Sequence, residues 1–407
     1  MSNAAPRTAT VRMTPGERRA TIGLASIFGL RMLGMFIILP VFALYAEALP
    51  GGRDKTLVGI ALGAYGLTQA ILQIPFGWVS DRWGRRPVIY SGLCVFAIGS
   101  FVAAMSGSVY GIIAGRALQG AGAISAAVLA LAADTTRDAV RTRTMAVIGM
   151  TIFGTFALSL IAGPALNAAI GVPGIFAMTG VFALAATLVV RFVIPYAEQH
   201  EAPPASKAFA RVLADRQLLR LNYGIFALHA LLMSLFIEVP FALRDNGLPE
   251  TSHWTVYLPV LFASVALMWP FVRQSDRPGR GKPIFVGAVA LLLVAQIVLG
   301  LGQHSLIALV AGLVLFFTAF NLLEATLPAL VSRYAPRDIK GTAVGIYSSV
   351  QFFGTFAGAA AGGWLAQHAS AVAVFGFGVI LTAIWLGVSA TMAAPPDYST
   401  QLSMGRT

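Results

Sequence analysis

The sequence predicts an all-α integral membrane protein, with twelve transmembrane helices arranged as two pseudo-symmetric six-helix halves. Three observations carry this. Hydrophobic residues make up 57% of the 407 and mean hydropathy is +0.78, above the roughly 45–50% apolar content of soluble domains. Apolar stretches of about 20 residues recur along nearly the whole length, each enough to cross a hydrocarbon core of roughly 30 Å as a helix. A polar string, "SDRWGRRP" at 80–87, returns as "SDRPGRGKP" at 275–283, one copy in each half of the chain.

The elements follow in order. Residues 1–19 are polar, lack the apolar core and cleavage site of a secretory signal, and end on a helix start. There Thr14-Pro15-Gly16-Glu17 reads as a capping box with proline at the first helical position. The N-terminal half, 20–195, holds spans at 20–46, 56–79, 87–105, 108–132, 144–166 and 173–194. The longest non-apolar stretch contains "EQHEAPPASK" and makes 196–217 a linker. The C-terminal half, 218–393, holds spans at 218–242, 254–273, 283–302, 305–331, 341–367 and 370–393, and a tail covers 394–407. Parallel repeats of this kind are one layout of secondary transporters, with the binding site near the midplane between halves.

The formal charge of +12 could point to nucleic acid, but the basic residues sit in short loops between apolar runs, which is a topology signal. With the N-terminus inside, 23 of the 28 Lys and Arg fall on the cytoplasmic side, against Arg53, Lys55 and Arg244 opposite. Both termini are expected in the cytoplasm of a bacterium, with the chain multi-pass in its inner membrane. The single cysteine, Cys94, lies in an apolar run and allows no disulfide within the chain.

Ionisable residues inside spans are site candidates by default, since a charge at the bilayer centre costs at least ~2.5–3.5 kcal/mol. Arg31 lies mid-span on a stripe with Phe28, Met35 and Phe42; it is either the polar anchor of an apolar cavity or the buried partner of a carboxylate. Glu324 shares a face of the tenth span with Phe317, Asn321 and Pro328, and is either a proton carrier or half of an ion pair with Arg31. His229, on a stripe with Asn222, Phe226 and Met233, is either a titrating midplane group or a hydrogen-bonded core residue. Glu238, nine residues on, falls on the opposite face near the outer end and is expected to be solvated.

The run Gly77-Trp78-Val79-Ser80-Asp81-Arg82-Trp83-Gly84-Arg85-Arg86 resembles the cytoplasmic loop signature of the major facilitator superfamily, G-x-x-x-D-R-x-G-R-R, at every defining position. Gly115-Arg116-Ala117-Leu118-Gln119-Gly120 resembles the fourth-helix arginine motif of its twelve-helix drug:proton antiporters, and Gly163-Pro164 their fifth-helix antiporter motif. The latter pattern continues to paired glycines, whereas Leu166-Asn167 stand here. The strings "MTPGERRAT", "LRMLGMF" and "YGLTQAILQIPFG" resemble one branch of that group over almost the whole chain. The protein that typifies this branch continues into a small C-terminal soluble domain, and here the twelfth span ends close to the last residue, so that domain's role is not carried over.

The resemblance implies that Asp81 sits against the N-terminus of the eleventh helix, near Gly341, where a carboxylate gains about 0.3–1 kcal/mol, and that Gly77, Asp81, Arg82, Gly84, Arg85 and Arg86 act as a gate. It also implies proton transfer at Arg116 and Gln119, and gating at the Gly163-Pro164 bend. The arginines of the loop suit anionic lipid headgroups as well. In the second copy Phe271 replaces the helix-end glycine, so that copy is expected to be mainly structural.

Together these features lead to a proton-coupled exporter of small amphiphilic compounds working by alternating access, with no metal or other cofactor beyond the proton and no nucleic-acid partner. The expected partners are a small-molecule substrate and membrane lipids, and the expected state is a monomer. Uptake of an organic anion held by Arg31 and Arg116, or ligand sensing without net flux, are the rival readings. An embedded enzyme is disfavoured, because no metal-ligand cluster, nucleotide loop or activated nucleophile is present.

Overall fold

The computed structural model describes residues 12–196, 206–275, 277, 279–336 and 339–393, apart from the side chains at 138, 142, 206 and 207. Asp276, the acidic residue of the second loop copy, lies outside the described residues.

The helices are α1 (Pro15–Ala46), α2 (Lys55–Trp83), α3 (Arg85–Ala104) and α4 (Val109–Asp134), then a continuous run, Asp138–Phe192, that holds two spans. This run divides at Gly171, whose φ of 68° lies in the left-handed region that favours glycine, giving α5 (138–170) and α6 (172–192). The second half contains α7 (Arg216–Asp245), α8 (Trp254–Ser275), α9 (Gly281–Leu301), α10 (Leu306–Tyr334), α11 (Lys340–His368) and α12 (Ala371–Ala390). Among the described residues ten stretches meet the length and hydropathy of a membrane span. One of them contains both α5 and α6, and α11, which is too glycine-rich and polar to qualify, completes the twelve.

Helix starts are fixed locally. The capping box at the start of α1 is formed, with Glu17 N donating to Thr14 Oγ1 at 3.2 Å and Thr14 N to Glu17 Oε2 at 2.8 Å. Asp54 caps α2, Ser108 α4, Asp215 α7, Ser305 α10 and Ser370 α12, each accepting from a backbone amide of the first turn. In the linker a short helix, Ser206–Ala214, turns its fully buried Val212 toward the second half. α1 is interrupted at Ile37–Ile38 and α4 at 122–124.

α11 packs between α2 of the first half and α7 of its own, and in both contacts the closest approaches include backbone against backbone. A Cβ on Gly59 would lie 2.2 Å from the Ala359 carbonyl oxygen, one on Gly363 2.3 Å from that of Lys55, and one on Gly358 2.1 Å from that of Ala230. Small residues let helices approach this closely where hydrophobic burial gives no drive for association, and the run "GAAAGG" at 358–363 serves that purpose.

The bundle has a terminal end, where α1 begins and the linker lies, and a far end. Toward the far end and mid-depth the halves touch along α2 and α11. At the terminal end they part: Gly77 has only Ala126 of its own half within reach, and Gly341 and Gly345 face open space. Pro164 sits within continuous helix, and the non-helical residue of the run is Gly171. Gly163 instead admits α1, since a Cβ there would meet Ile37 O at 2.6 Å and Pro40 Cγ at 2.9 Å.

Candidate functional site

In the first half the buried polar groups gather around Tyr65 of α2. Arg31 of α1 donates to Ser125 Oγ at 2.7 Å and to Gln69 Oε1, and its guanidinium lies 5.7 Å from the Tyr65 ring centre. Arg116 of α4, 1% exposed, covers the same ring at 5.1 Å and donates to Gln119 Oε1 at 3.1 Å and Leu62 O at 3.2 Å. Desolvated cation–π contacts are worth about 2 kcal/mol. Gln119 passes the network on to Ser100 Oγ at 2.8 Å, and Gln69 to Gln73 Oε1 at 2.9 Å.

The second half holds a smaller cluster. His229 Nε2 of α7 and Gln351 Nε2 of α11 are 2.8 Å apart, Gln351 Nε2 donates to Glu324 Oε1 of α10 at 3.5 Å, and Glu324 Oε2 is 3.9 Å from His229 Nε2. His229 Nδ1 is 3.3 Å from Ile225 O. Glu324 Oε2 is buried and accepts no hydrogen bond, although the side chain as a whole is 31% exposed. One turn before it, Phe320 stacks on Phe156 of α5, and Phe317 also meets Phe156, so this face of α10 is turned to the first half. Tyr65 meets Phe352 across the same divide. Aromatic rings therefore lie between the two polar clusters.

The anticipated pairing of Arg31 with Glu324 is not made. Each spends its hydrogen bonds within its own half, because Gln69, Ser125, His229 and Gln351 are nearer than the opposite charge.

Every residue of the loop motif has a place. Arg85 Nη1 donates to Asp81 and to Ser80 Oγ at 2.9 Å, while its Nε reaches Asp134 Oδ2 of α4 at 3.2 Å. Gly84 joins α2 to α3 at φ 102°, open to glycine and strained for other residues. Arg82 lies over Trp78 at 5.0 Å, and Arg86 holds Ile194 O and lies over Tyr196 at 5.0 Å. Asp81 does not touch the start of α11, contrary to the expectation drawn from the signature; in this conformation that end of the bundle is apart, and the guanidinium four residues on takes the carboxylate.

Two features were not visible in the sequence. Glu17, besides closing its capping box, receives Arg137 Nε at 2.7 Å and Nη2 at 3.0 Å, which staples α1 to the start of α5. Glu238, expected to be solvated, is 3% exposed and bonds Lys55 Nζ across the halves at 3.0 Å. The helical wheel placed Glu238 away from His229, and what it could not show is that α2 of the other half begins there. Charge signs alone, one Lys and one Glu at opposite far-end helix termini, were the available clue.

Two six-helix halves joined at one end, parted at the other and carrying ionisable groups at membrane depth make the build of a secondary transporter. The comparisons with known proteins agree. The model of the Major Facilitator Superfamily matches residues 24–268 and 239–406. The chain is 47% identical over 392 residues to the inner membrane transport protein YajR of Escherichia coli K12, covering 95% of this chain and 86% of that one. It is 23% identical over 346 residues to the multidrug resistance protein MdtH of Proteus mirabilis, covering 82% and 84%. Among solved structures, the human organic anion transporter MFSD10 superposes with a TM-score of 0.71 at 22% identity, over 92% of this chain and 100% of that one. The chain belongs to the major facilitator superfamily and is a membrane transporter, not an enzyme.

Proposed function

We propose that the protein is a proton-coupled exporter of small amphiphilic compounds, alternating between inward-open and outward-open states in a bacterial inner membrane with both termini in the cytoplasm. Glu324 carries the reading. It is an ionisable group at membrane depth, with one carboxylate oxygen unbonded, the other held by Gln351, and no cation beside it other than His229 among the described residues, which makes it a functional-site candidate by default. The rings of Phe320 and Phe317, one and two turns before it on α10, with Phe156 packed against them and Phe36 against Phe156, suit apolar and aromatic substrates of varied shape. The loop arginines support the orientation, and the relatives named for inner membrane transport and multidrug resistance support export.

The anion-uptake reading draws less support, because Arg31 and Arg116 are already engaged by Ser125, Gln69, Leu62 and Gln119. The test is transport in reconstituted vesicles with an imposed pH gradient, against cationic, neutral and anionic amphiphiles. Proton-driven accumulation of a cationic or neutral compound is expected, and Glu324→Gln is expected to abolish it while leaving downhill exchange measurable. Uphill transport that survives in this variant removes Glu324 from the mechanism, and binding without flux makes the chain a sensor.

A further inference from the structure

The far end of the bundle is closed by charge, and one of the charges has no use for water. Glu238 of α7 is buried, 3% exposed, and among the described residues its one ionic partner at hydrogen-bond distance is Lys55 of the other half. Lys55 is the first residue of α2 and holds the second half three times. Its ammonium bonds Glu238 at 3.0 Å and lies 4.7 Å from the centre of the Phe241 ring, and its amide donates to Gln367 Oε1 of α11 at 2.9 Å. Its side chain is 31% exposed and lines a cavity of about 270 Å³, with Glu47, Arg53 and Phe241. A second cross-half pair, Arg244 Nη1 with Glu47 Oε2 at 2.6 Å, is exposed on both sides; such pairs contribute roughly 0–1 kcal/mol.

We infer that Glu238 is a second proton site, which trades Lys55 for a proton each time the far end opens. Opening requires α2 to leave α7 and α11, because Lys55 bonds both. Lys55 then goes into water as an ammonium, where its exposed stem and the adjoining cavity already lead. Glu238 stays on α7 in apolar surroundings, and removing one partner of a buried pair leaves an uncompensated charge that typically costs 3–5 kcal/mol. The carboxylate relieves this by accepting one proton from the water admitted on that side. Closing reverses the exchange, with Lys55 returning and the proton leaving to the same water or onward into the protein. The other charges acting on Glu238 are few. Asp245 stands on its own helix, Glu47, just past α1, is occupied by Arg244, and Arg53 lines the same cavity. None of them replaces Lys55 when it withdraws.

This inference rests on the proton-coupled reading for its use in transport, but it predicts a conformational equilibrium that is measurable without transport. The open far end binds one more proton than the closed one, so lower pH favours opening, by at most about tenfold per pH unit for a single linked proton. The experiment uses the full chain with Cys94 replaced and spin labels at Ala48→Cys and Ala369→Cys, exposed positions on opposite halves of the far end. Distances are read by double electron–electron resonance in lipid nanodiscs between pH 8 and pH 5. In the parent, a longer-distance population is expected to grow at least tenfold relative to the short one as pH falls. In Glu238→Gln the longer population is expected at every pH, and in Lys55→Gln the pH response is expected to flatten too, since the carboxylate has no cation to trade. The Glu324→Gln variant is expected to keep the response, which separates this site from the midplane one. If Glu238→Gln or, should it fail to fold, Lys55→Gln retains the parent's pH response, the pair is a static clamp and the inference is overturned. If only Glu324→Gln flattens the response, proton linkage belongs to the midplane alone and the inference is likewise overturned.

Discussion

Neutralising Arg31 leaves Gln69 and Ser125 facing a shorter, uncharged neighbour, while neutralising Glu324 affects Gln351, His229 and the nearby Tyr347. The two sites share no partner, so the thermal stability losses of Arg31→Gln and Glu324→Gln should add within ~0.5 kcal/mol in the double variant. A strongly sub-additive loss in thermal unfolding would mean that the charges do interact. Arg116→Met should cost more than either, roughly 1.5–3 kcal/mol for the lost hydrogen bonds of a charged donor, because Gln119 and the Leu62 carbonyl then face an apolar side chain. At this scale the sequence pointed to the charges and not to their company. Arg31 and Glu324 stood out because almost nothing else in their spans is ionisable, but the groups that hold Arg31 sit on α2 and α4, 38 and 94 residues away. Choosing between them and a distant carboxylate takes coordinates.

α11 has one glycine edge toward the other half and one toward its own, and the two should respond differently to added bulk. Gly59→Val, on α2, drives a side chain into the Ala359 carbonyl across the divide; the halves can relieve this by separating, so the expected result is a far end shifted toward open with the fold retained. Gly358→Val pushes against Ala230 of α7 inside one half, where no such freedom exists, and should lower stability by at least ~1–3 kcal/mol, as overpacking does. Distance measurements across the far end together with thermal unfolding check both, and equal stability losses with no opening in Gly59→Val would contradict the distinction. The spans themselves were readable from hydropathy, and the start of α1 from Thr14 and Glu17. The interruption of α1 at Ile37–Ile38 has a local signal in Pro40, which cannot bond the Phe36 carbonyl four residues back, whereas the approach of Gly163 to Ile37 from another helix, over more than 120 residues, leaves no local trace.

For the molecule as a whole, the loop motif is proposed to be a latch, and here Arg85 holds its Asp81 within the loop. Arg85 has three partners, and losing one of them leaves Ser80 and Asp134 in place. Asp81→Asn should therefore fold and insert normally. Its effect is expected in the opposite conformation, where the carboxylate is proposed to meet the start of α11 and keep the terminal end shut. A reporter cysteine on the terminal half of the cavity, with Cys94 replaced, should label faster in Asp81→Asn than in the parent. The same change at Asp276 should do much less. Equal labelling in all three would leave the loop with a role in topology alone.

The contact between α2 and α11 works like a plain bearing. At Gly59 with Ala359 and at Gly363 with Lys55 backbone runs against backbone, so apart from rings such as Tyr65 and Phe352 few side chains must withdraw and reinsert when one half rolls on the other, and the rotamer entropy that interdigitated helices must surrender and recover is reduced in the stroke. The resistance to motion is concentrated at the rim, in the few polar contacts of Lys55 and Arg244, and mid-depth offers little of its own. Traffic through the protein should therefore be governed by the chemistry of the fluid bathing that rim more than by the fit of the interior.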